Sequence, residues 1–333
     1  MQCATPLACA WPDGARDAMP AAALCTLGAF RLHGPSSIDG CVEVDLGVPG
    51  AHWGDPFHKP PGLNMLDAML LSPHLSNATA LRTLRIRGLS GIHHTWEQLG
   101  IKADGMQSLA AALPAGIEVL EISGHNIGNS GAAALAAALK TRLTGMRELN
   151  LALNSITDEG ALALAGVLGA LPSLDRLNLE HNWIGTSGSE ALARALSSGR
   201  AHLRQLSLAS NNLGERGGAA LAGALASNRW LHTLNLYSNS IGTSGAVAFA
   251  ATLAGGSSAL ADLNLAHNYI DADGEVAGAS ALSDAMRRGH TALRRLDLRW
   301  NHFTLCHCGS PARLRRAARD APRLELVLER HGA

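Results

Sequence analysis

One eleven-residue pattern, LxxLxLxxNxL, recurs seven times along this chain and constrains its fold more than any other feature. The copies begin at Ile117 (IEVLEISGHNI), Met146 (MRELNLALNSI), Leu174 (LDRLNLEHNWI), Leu203 (LRQLSLASNNL), Leu231 (LHTLNLYSNSI), Leu260 (LADLNLAHNYI) and Leu293 (LRRLDLRWNHF). Successive starts lie 29, 28, 29, 28, 29 and 33 residues apart, and a decayed eighth copy opens at Leu81 (LRTLRIRGL). Self-similarity at a fixed period of this size marks a stack of identical units. A second motif, roughly G-A-x-A-L-A, runs in phase with the first, at Gly131, Gly160, Gly188, Gly217, Gly245 and Gly278, with a weaker copy at Gly105.

The two motifs dictate the unit. Around the last two leucines of L-x-x-L-x-L, apolar and polar residues alternate, which is a short strand with one buried face. Alanine has the highest helix propensity, so the Ala-rich segment is a helix, and its small side chains let it lie close to the strands. The leucines at its centre, Leu135, Leu164, Leu192 and Leu221, point inward. Strand, helix and strand in one direction make a parallel crossover. Adjacent strands sit about 4.8 Å apart, whereas a helix is about 10 Å wide. The strands must therefore take the inside of a curve. The expected fold is an α/β solenoid, a horseshoe with a concave parallel sheet and convex helices. No unit can bury its own face alone, so both ends need caps.

The motif asparagines, Asn154, Asn182, Asn211, Asn239, Asn268 and Asn301, fall where the chain turns away from each strand. A buried amide there can serve backbone groups of adjacent turns, which predicts a structural ladder. The first full copy departs from the rule, with His125 in that place and Asn126 after it.

On these residues the chain resembles the ribonuclease-inhibitor type of leucine-rich-repeat protein, with its alternation of 28 and 29 residues. The signature NxIGxxGAxALAxAL is similar to the repeat arrays of NOD-like receptors and of the Ran GTPase-activating protein. The G-A-x-A-L-A segments resemble the GALA-type effectors of plant-pathogenic bacteria. The resemblance spans about residues 81–330 and implies protein binding. By analogy it also carries two alternatives, a GTPase-activating regulator and a substrate adaptor in ubiquitin transfer.

The expected organisation is a disordered N-terminal segment and cap over 1–75, a solenoid of about eight repeats over 76–303, and a C-terminal cap over 304–333. Phe30–Leu32 and Val42–Leu46 read as a capping hairpin around Gly34-Pro35, and Leu63–Leu71 as a short helix. At the other end, Pro311–Asp320 reads as a helix and Leu324–Leu328 as a last strand. Two insertions interrupt the array: about ten residues between Leu89 and Ile101, with His93, His94 and Trp96, and four more after Gly274. They read as surface loops, which often carry recognition, or as drift of a decayed repeat.

Formal net charge is zero, from 27 basic and 27 acidic residues, which makes nucleic acid an unlikely partner. The charge is uneven, since residues 281–333 hold 11 Arg and five acids. That run is a solvated cap helix, or else a docking surface for an acidic partner. The six cysteines, Cys3, Cys9, Cys25, Cys41, Cys306 and Cys308, lie outside the regular repeats and outline no disulfide framework. With no readable signal peptide and no run of 18 apolar residues, the chain is expected to be cytoplasmic and not in the membrane, with signal-less secretion left open.

Candidate chemistry lies on the inner wall. The column Arg85, Glu121, Asn150, Asn178, Ser207, Asn235, Asn264 and Asp297 reads as a polar, hydrogen-bonding surface. Beside it stand Glu180, His181, Tyr237, His267, Arg299 and Trp300, and beyond the asparagines Trp183, Tyr269 and His302. Both tyrosines and two of the six tryptophans fall in this band, and exposed Trp, Tyr and Arg most often dominate binding energy. The predicted partner-binding set is Glu180, His181, Trp183, Tyr237, His267, Tyr269, Arg299 and Trp300. His302, Cys306, His307 and Cys308 hold potential zinc donors, but their C-x-C spacing favours free thiols. Asp271, Asp273 and Glu275 lack the later acids of a calcium loop. No catalytic constellation, cofactor or small-molecule substrate is expected. The expected function is a protein-interaction module acting as a sensor, scaffold or secreted effector.

Overall fold

The computed structural model describes residues 31–33, 43–46, 65–88, 100–256, 258–272, 274, 276–288, 292–303, 310–321 and 323–328. Among the described residues, eleven strands form one sheet in sequence order: β1 (Arg31–His33), β2 (Glu43–Leu46), β3 (Thr83–Arg87), β4 (Val119–Ser123), β5 (Glu148–Asn150), β6 (Arg176–Asn178), β7 (Gln205–Ser207), β8 (Thr233–Asn235), β9 (Asp262–Asn264), β10 (Arg295–Asp297) and β11 (Glu325–Val327). β1 pairs antiparallel with β2, and every later neighbour is parallel. The helices of the described residues are α1 (Met65–Asn77), α2 (Lys102–Ala112), α3 (Gly128–Thr141), α4 (Asp158–Leu168), α5 (Thr186–Ser197), α6 (Gly214–Leu225), α7 (Gly242–Ala254), α8 (Ala277–Arg287) and α9 (Ser310–Asp320). Each packs on its sequential neighbours, so contacts run from one coil to the next as in a solenoid.

Register follows from a single apolar column. Val44, Leu84, Leu120, Leu149, Leu177, Leu206, Leu234, Leu263, Leu296 and Leu326 are paired in series across the sheet. A one-residue slip would turn that column to solvent. All but Leu326 are buried, as are Leu135, Leu164, Leu192 and Leu221 of the helices, with Phe249 at the corresponding place in α7. Each such side chain contributes about 1.5–3 kcal/mol by leaving water.

The glycine of the second motif does more than mark a helix start. A Cβ on Gly188 would lie 2.7 Å from an Asp158 oxygen and 3.0 Å from the Ala161 Cβ of the preceding coil. The absent side chain is what lets successive helices stack at the sheet's spacing.

α1 differs from the sequence expectation. It runs to Asn77, through Pro73, instead of stopping at Leu71. Proline removes one helical hydrogen bond, but Leu71, Leu75 and Ala78 continue a buried stripe past it, and that burial carries the helix onward. The segments 1–20 and 90–99, the turn at Gly34-Pro35, Asp273, Glu275, Cys306, His307 and Cys308 lie outside the described residues.

Candidate functional site

The motif asparagines tie each turn to its neighbours. Asn268 Oδ1 accepts from the Asn239 N–H (2.9 Å) and the Ile241 N–H (3.1 Å), while its Nδ2 donates to the Leu236 (2.8 Å) and Ala266 (3.0 Å) carbonyls. Asn182 serves the Asn154 and Ile156 N–H groups, Asn301 those of Asn268 and Ile270, Asn211 that of Ile184, and Asn154 that of His125. Asn239 donates to three carbonyls, but its Oδ1 has no partner among the described residues.

His125 breaks the series. Its ring is buried, and neither nitrogen meets hydrogen-bond geometry with a described residue. Burial pushes the imidazole down to about 4, against a weaker opposing pull from the Ile86 backbone. The side chain is held neutral in a place where the other coils keep an amide.

The central column is less available than the sequence suggests. Asn150, Asn178, Asn235 and Asn264 each use Oδ1 to accept the backbone N–H two residues on, at 2.9–3.2 Å, and Asp297 does the same for Arg299. These side chains close the strand ends, and each already uses an acceptor on its own backbone. What remains open is a hollow of about 370 Å³ lined by Arg85, Glu121, Asn150, Arg176, Glu180 and Asn235 among others. Glu121 pairs with Arg87 at 2.9 Å and Arg85 at 3.8 Å, Glu148 with Arg176 at 2.7 Å, and Glu180 accepts from Asn235 at 3.1 Å. Its charges are largely matched within the wall. At the far end, burial pushes the Asp262 carboxyl above its ordinary range, opposed by Arg295 and reinforced by Glu325 and Asp297.

The predicted partner-binding residues divide into two groups. Tyr237, His267, Tyr269 and Trp300 come together with His302 on the rim after the strands. Ring centroids lie 5.7 Å apart for Tyr237–His267, 5.9 Å for Tyr237–Trp300, 6.0 Å for His267–Tyr269 and 5.6 Å for Tyr269–His302. Arg299 lies 5.2 Å from the Trp300 ring centroid and is held by the buried Asp297 at 2.7 Å. Tyr269 is 50% and Trp300 52% exposed. Glu180, His181 and Trp183 stand in an earlier coil, where Trp183 is 70% exposed and shares no ring contact with the rim cluster.

Backbone conformation explains how the rim projects. His181 (φ 51°), His267 (58°) and Trp300 (55°) adopt the left-handed region, and so do Leu153 (60°), Ser210 (54°) and Ser238 (55°) at the same place in other coils. The turn imposes this conformation whatever the residue, at a cost of roughly 1–2 kcal/mol for a bulky side chain.

Two features were not legible as site residues. On the opposite rim Trp230 packs on His202, with centroids 4.3 Å apart, beside Arg147, Asp175, Arg176 and Arg204. A tryptophan in an otherwise polar turn just before Leu231 was the available signal. Asp271 is buried and caps α8, its carboxylate accepting from the Gly278 (2.8 Å) and Ala279 (3.0 Å) N–H groups, which gives it a structural role. Among the described residues no group of three His, Cys, Asp or Glu is placed to hold a metal, and no helix is long and apolar enough to cross a membrane.

With that geometry in hand, comparison with known proteins identifies the repeat. A leucine-rich-repeat family model matches residues 117–136, 144–165, 170–193, 201–222 and 227–250, so the chain carries leucine-rich repeats. No curated protein matches the chain. Among solved structures, actin-binding site 2 of leiomodin-1 is similar at 24% identity and TM-score 0.36, over 40% of this chain and 78% of that one. A plant ice-binding protein is similar at 18% identity and TM-score 0.33, over 59% of this chain and 52% of that one.

Proposed function

We propose that this protein is a non-enzymatic interaction module that takes a partner protein on the rim formed by Tyr237, His267, Tyr269, Arg299, Trp300 and His302. Leucine-rich repeats generally mediate protein–protein contacts, which supports the class of function. The observation that carries the site is the merging of five rings from three coils into one partly exposed aromatic surface. Large, rigid side chains of this kind lose little entropy on contact and supply most of the energy of typical interfaces. The hollow of the concave wall, with its matched charges, would add polar selectivity around that anchor. Roles as a GTPase-activating regulator or an adaptor in ubiquitin transfer, and a place in the cytoplasm, rest on the sequence resemblance and composition alone.

The test is quantitative affinity capture with the full chain and a Tyr269→Ala/Trp300→Ala variant. Proteins held by the wild type should fall at least about tenfold with the variant, since each anchor is worth about 2 kcal/mol. Circular dichroism should be unchanged, because both rings are solvent-facing. Trp183→Ala, outside the cluster, should have the smaller effect. Equal capture by wild type and double variant would overturn the assignment.

A further inference from the structure

We infer that the outer face of α9 is a second, separate docking surface, which takes a short acidic polypeptide segment. Along the strand starts, charge alternates from coil to coil: Arg82 meets Glu118 at 3.9 Å, Glu118 meets Arg147 at 3.7 Å, and Asp175 meets Arg204 at 3.5 Å. Arg176 is met by Glu148 at 2.7 Å, and Arg295 by Glu325 at 2.9 Å. These sheet-side guanidiniums each find a carboxylate in an adjacent coil, whereas Arg294 makes no ion pair among the described residues.

The end of the chain departs from this. α9 reads SPARLRRAARD and buries Ser310, Leu314 and Ala317. Those positions form one stripe, so at 3.6 residues per turn Arg315, Arg316 and Arg319 fall on the opposite face. Arg313 lies between the two and donates to Ser280 Oγ at 2.6 Å. Arg316 and Arg319 are exposed and make no ion pair among the described residues, and the same holds of Arg288 at the end of α8 and of Arg323 just past α9. Arg315, Arg316 and Arg319 thus leave this face positive, with Asp320 at the C-terminal end the one acid of the helix.

The chemistry of the face selects the occupant. Every cation on it is Arg, whose planar fork binds a carboxylate through two parallel hydrogen bonds. An eleven-residue helix is about 16 Å long, the span of roughly five residues of extended chain. A nucleic acid would need a longer basic track than this single helix offers. A lipid surface would need apolar side chains to insert, but the one leucine of α9 is buried. The inference does not depend on the aromatic rim and shares no residue with it.

The probes are a fluorescein-labelled oligoglutamate peptide, its oligoglutamine counterpart, an oligothymidylate of equal length, and vesicles of phosphatidylserine and phosphatidylcholine. Anisotropy or co-sedimentation is read on the full chain at low salt. The oligoglutamate should bind more than about tenfold tighter than the other probes, and Arg316→Gln/Arg319→Gln should weaken it about tenfold. Arg200→Gln/Arg229→Gln, which removes the same charge from exposed sites past α5 and α6, should change it less than about twofold. Gln keeps helix propensity, so an unchanged dichroism spectrum accompanies the loss. Equal binding of oligoglutamate and oligothymidylate, preferential binding to vesicles, or an equal response to the two double variants would overturn the proposal. Loss of partner capture in Tyr269→Ala/Trp300→Ala would leave it untouched.

Discussion

Replacing Asn268 should cost far more than replacing Asn239, although both are buried asparagines at the same place in adjacent coils. The difference comes from what each amide leaves behind. Truncating Asn268 to Ala removes the acceptor for the Asn239 and Ile241 N–H groups, for which Asn268 Oδ1 is the partner in the ladder. Two buried donors are then stranded, at about 1–3 kcal/mol each. The carbonyls that Asn268 loses are served twice over: Leu236 O also receives Asn239 Nδ2, and Ala266 O also receives the Ser238 N–H. Truncating Asn239 strands no donor. Its three carbonyls, of Leu208, Leu236 and Tyr237, keep bonds from Asn211 Nδ2, Asn268 Nδ2 and the Ser210 N–H. Its own Oδ1 was unpartnered from the start. The expected loss there is about 1 kcal/mol, against about 2–6 kcal/mol for Asn268→Ala. Urea unfolding followed by circular dichroism reads the gap. At an m-value of about 3 kcal/mol/M the two midpoints should differ by about 1 M. Coincident midpoints would refute the reasoning, because they would mean that orphaned N–H groups carry no special penalty in this ladder.

Two further predictions concern places where the repeat is disobeyed. His125 has its folded pKa lowered to about 4 from an ordinary 6.5. The unfolded chain therefore binds the proton more readily, and stability that is complete above about pH 6.5 falls by about 3 kcal/mol as pH drops to about 4. His125→Asn, which restores the residue of the other coils, should flatten that part of the profile measured by urea titration at stepped pH; an unaltered slope would place the effect elsewhere. Leu153 is partly exposed with φ 60°. Leu153→Asn should relieve roughly 1 kcal/mol of backbone strain, raising Tm by about 2 °C. A fall in Tm would show that the leucine's packing outweighs its conformation.

The sequence by itself determined the solenoid. The spacing of Leu149, Leu177, Leu206, Leu234 and Leu263 fixes a strand in each coil, and the phase of the Ala-rich segments fixes the helix between them. Hydrophobic periodicity is local information repeated, so it survives without any knowledge of distant contacts. The ladder asparagines were legible for the same reason, since an amide that serves backbone must recur with the backbone. The rest needed the tertiary structure, because it depends on which side chains from different coils meet. Trp183 and Tyr269 occupy equivalent motif positions, yet only Tyr269 joins a cluster, with the ring of His267 from its own coil and that of His302 from the next beside it. Asn235 reads as an open hydrogen-bonding group, yet its oxygen is used by its own strand end and its nitrogen by Glu180 two coils away. The left-handed turn that aims Trp300 outward is set by the stacking of coils, whatever residue sits there. Pattern fixes the element, but only proximity in three dimensions decides which polar groups are already satisfied and which remain for a partner.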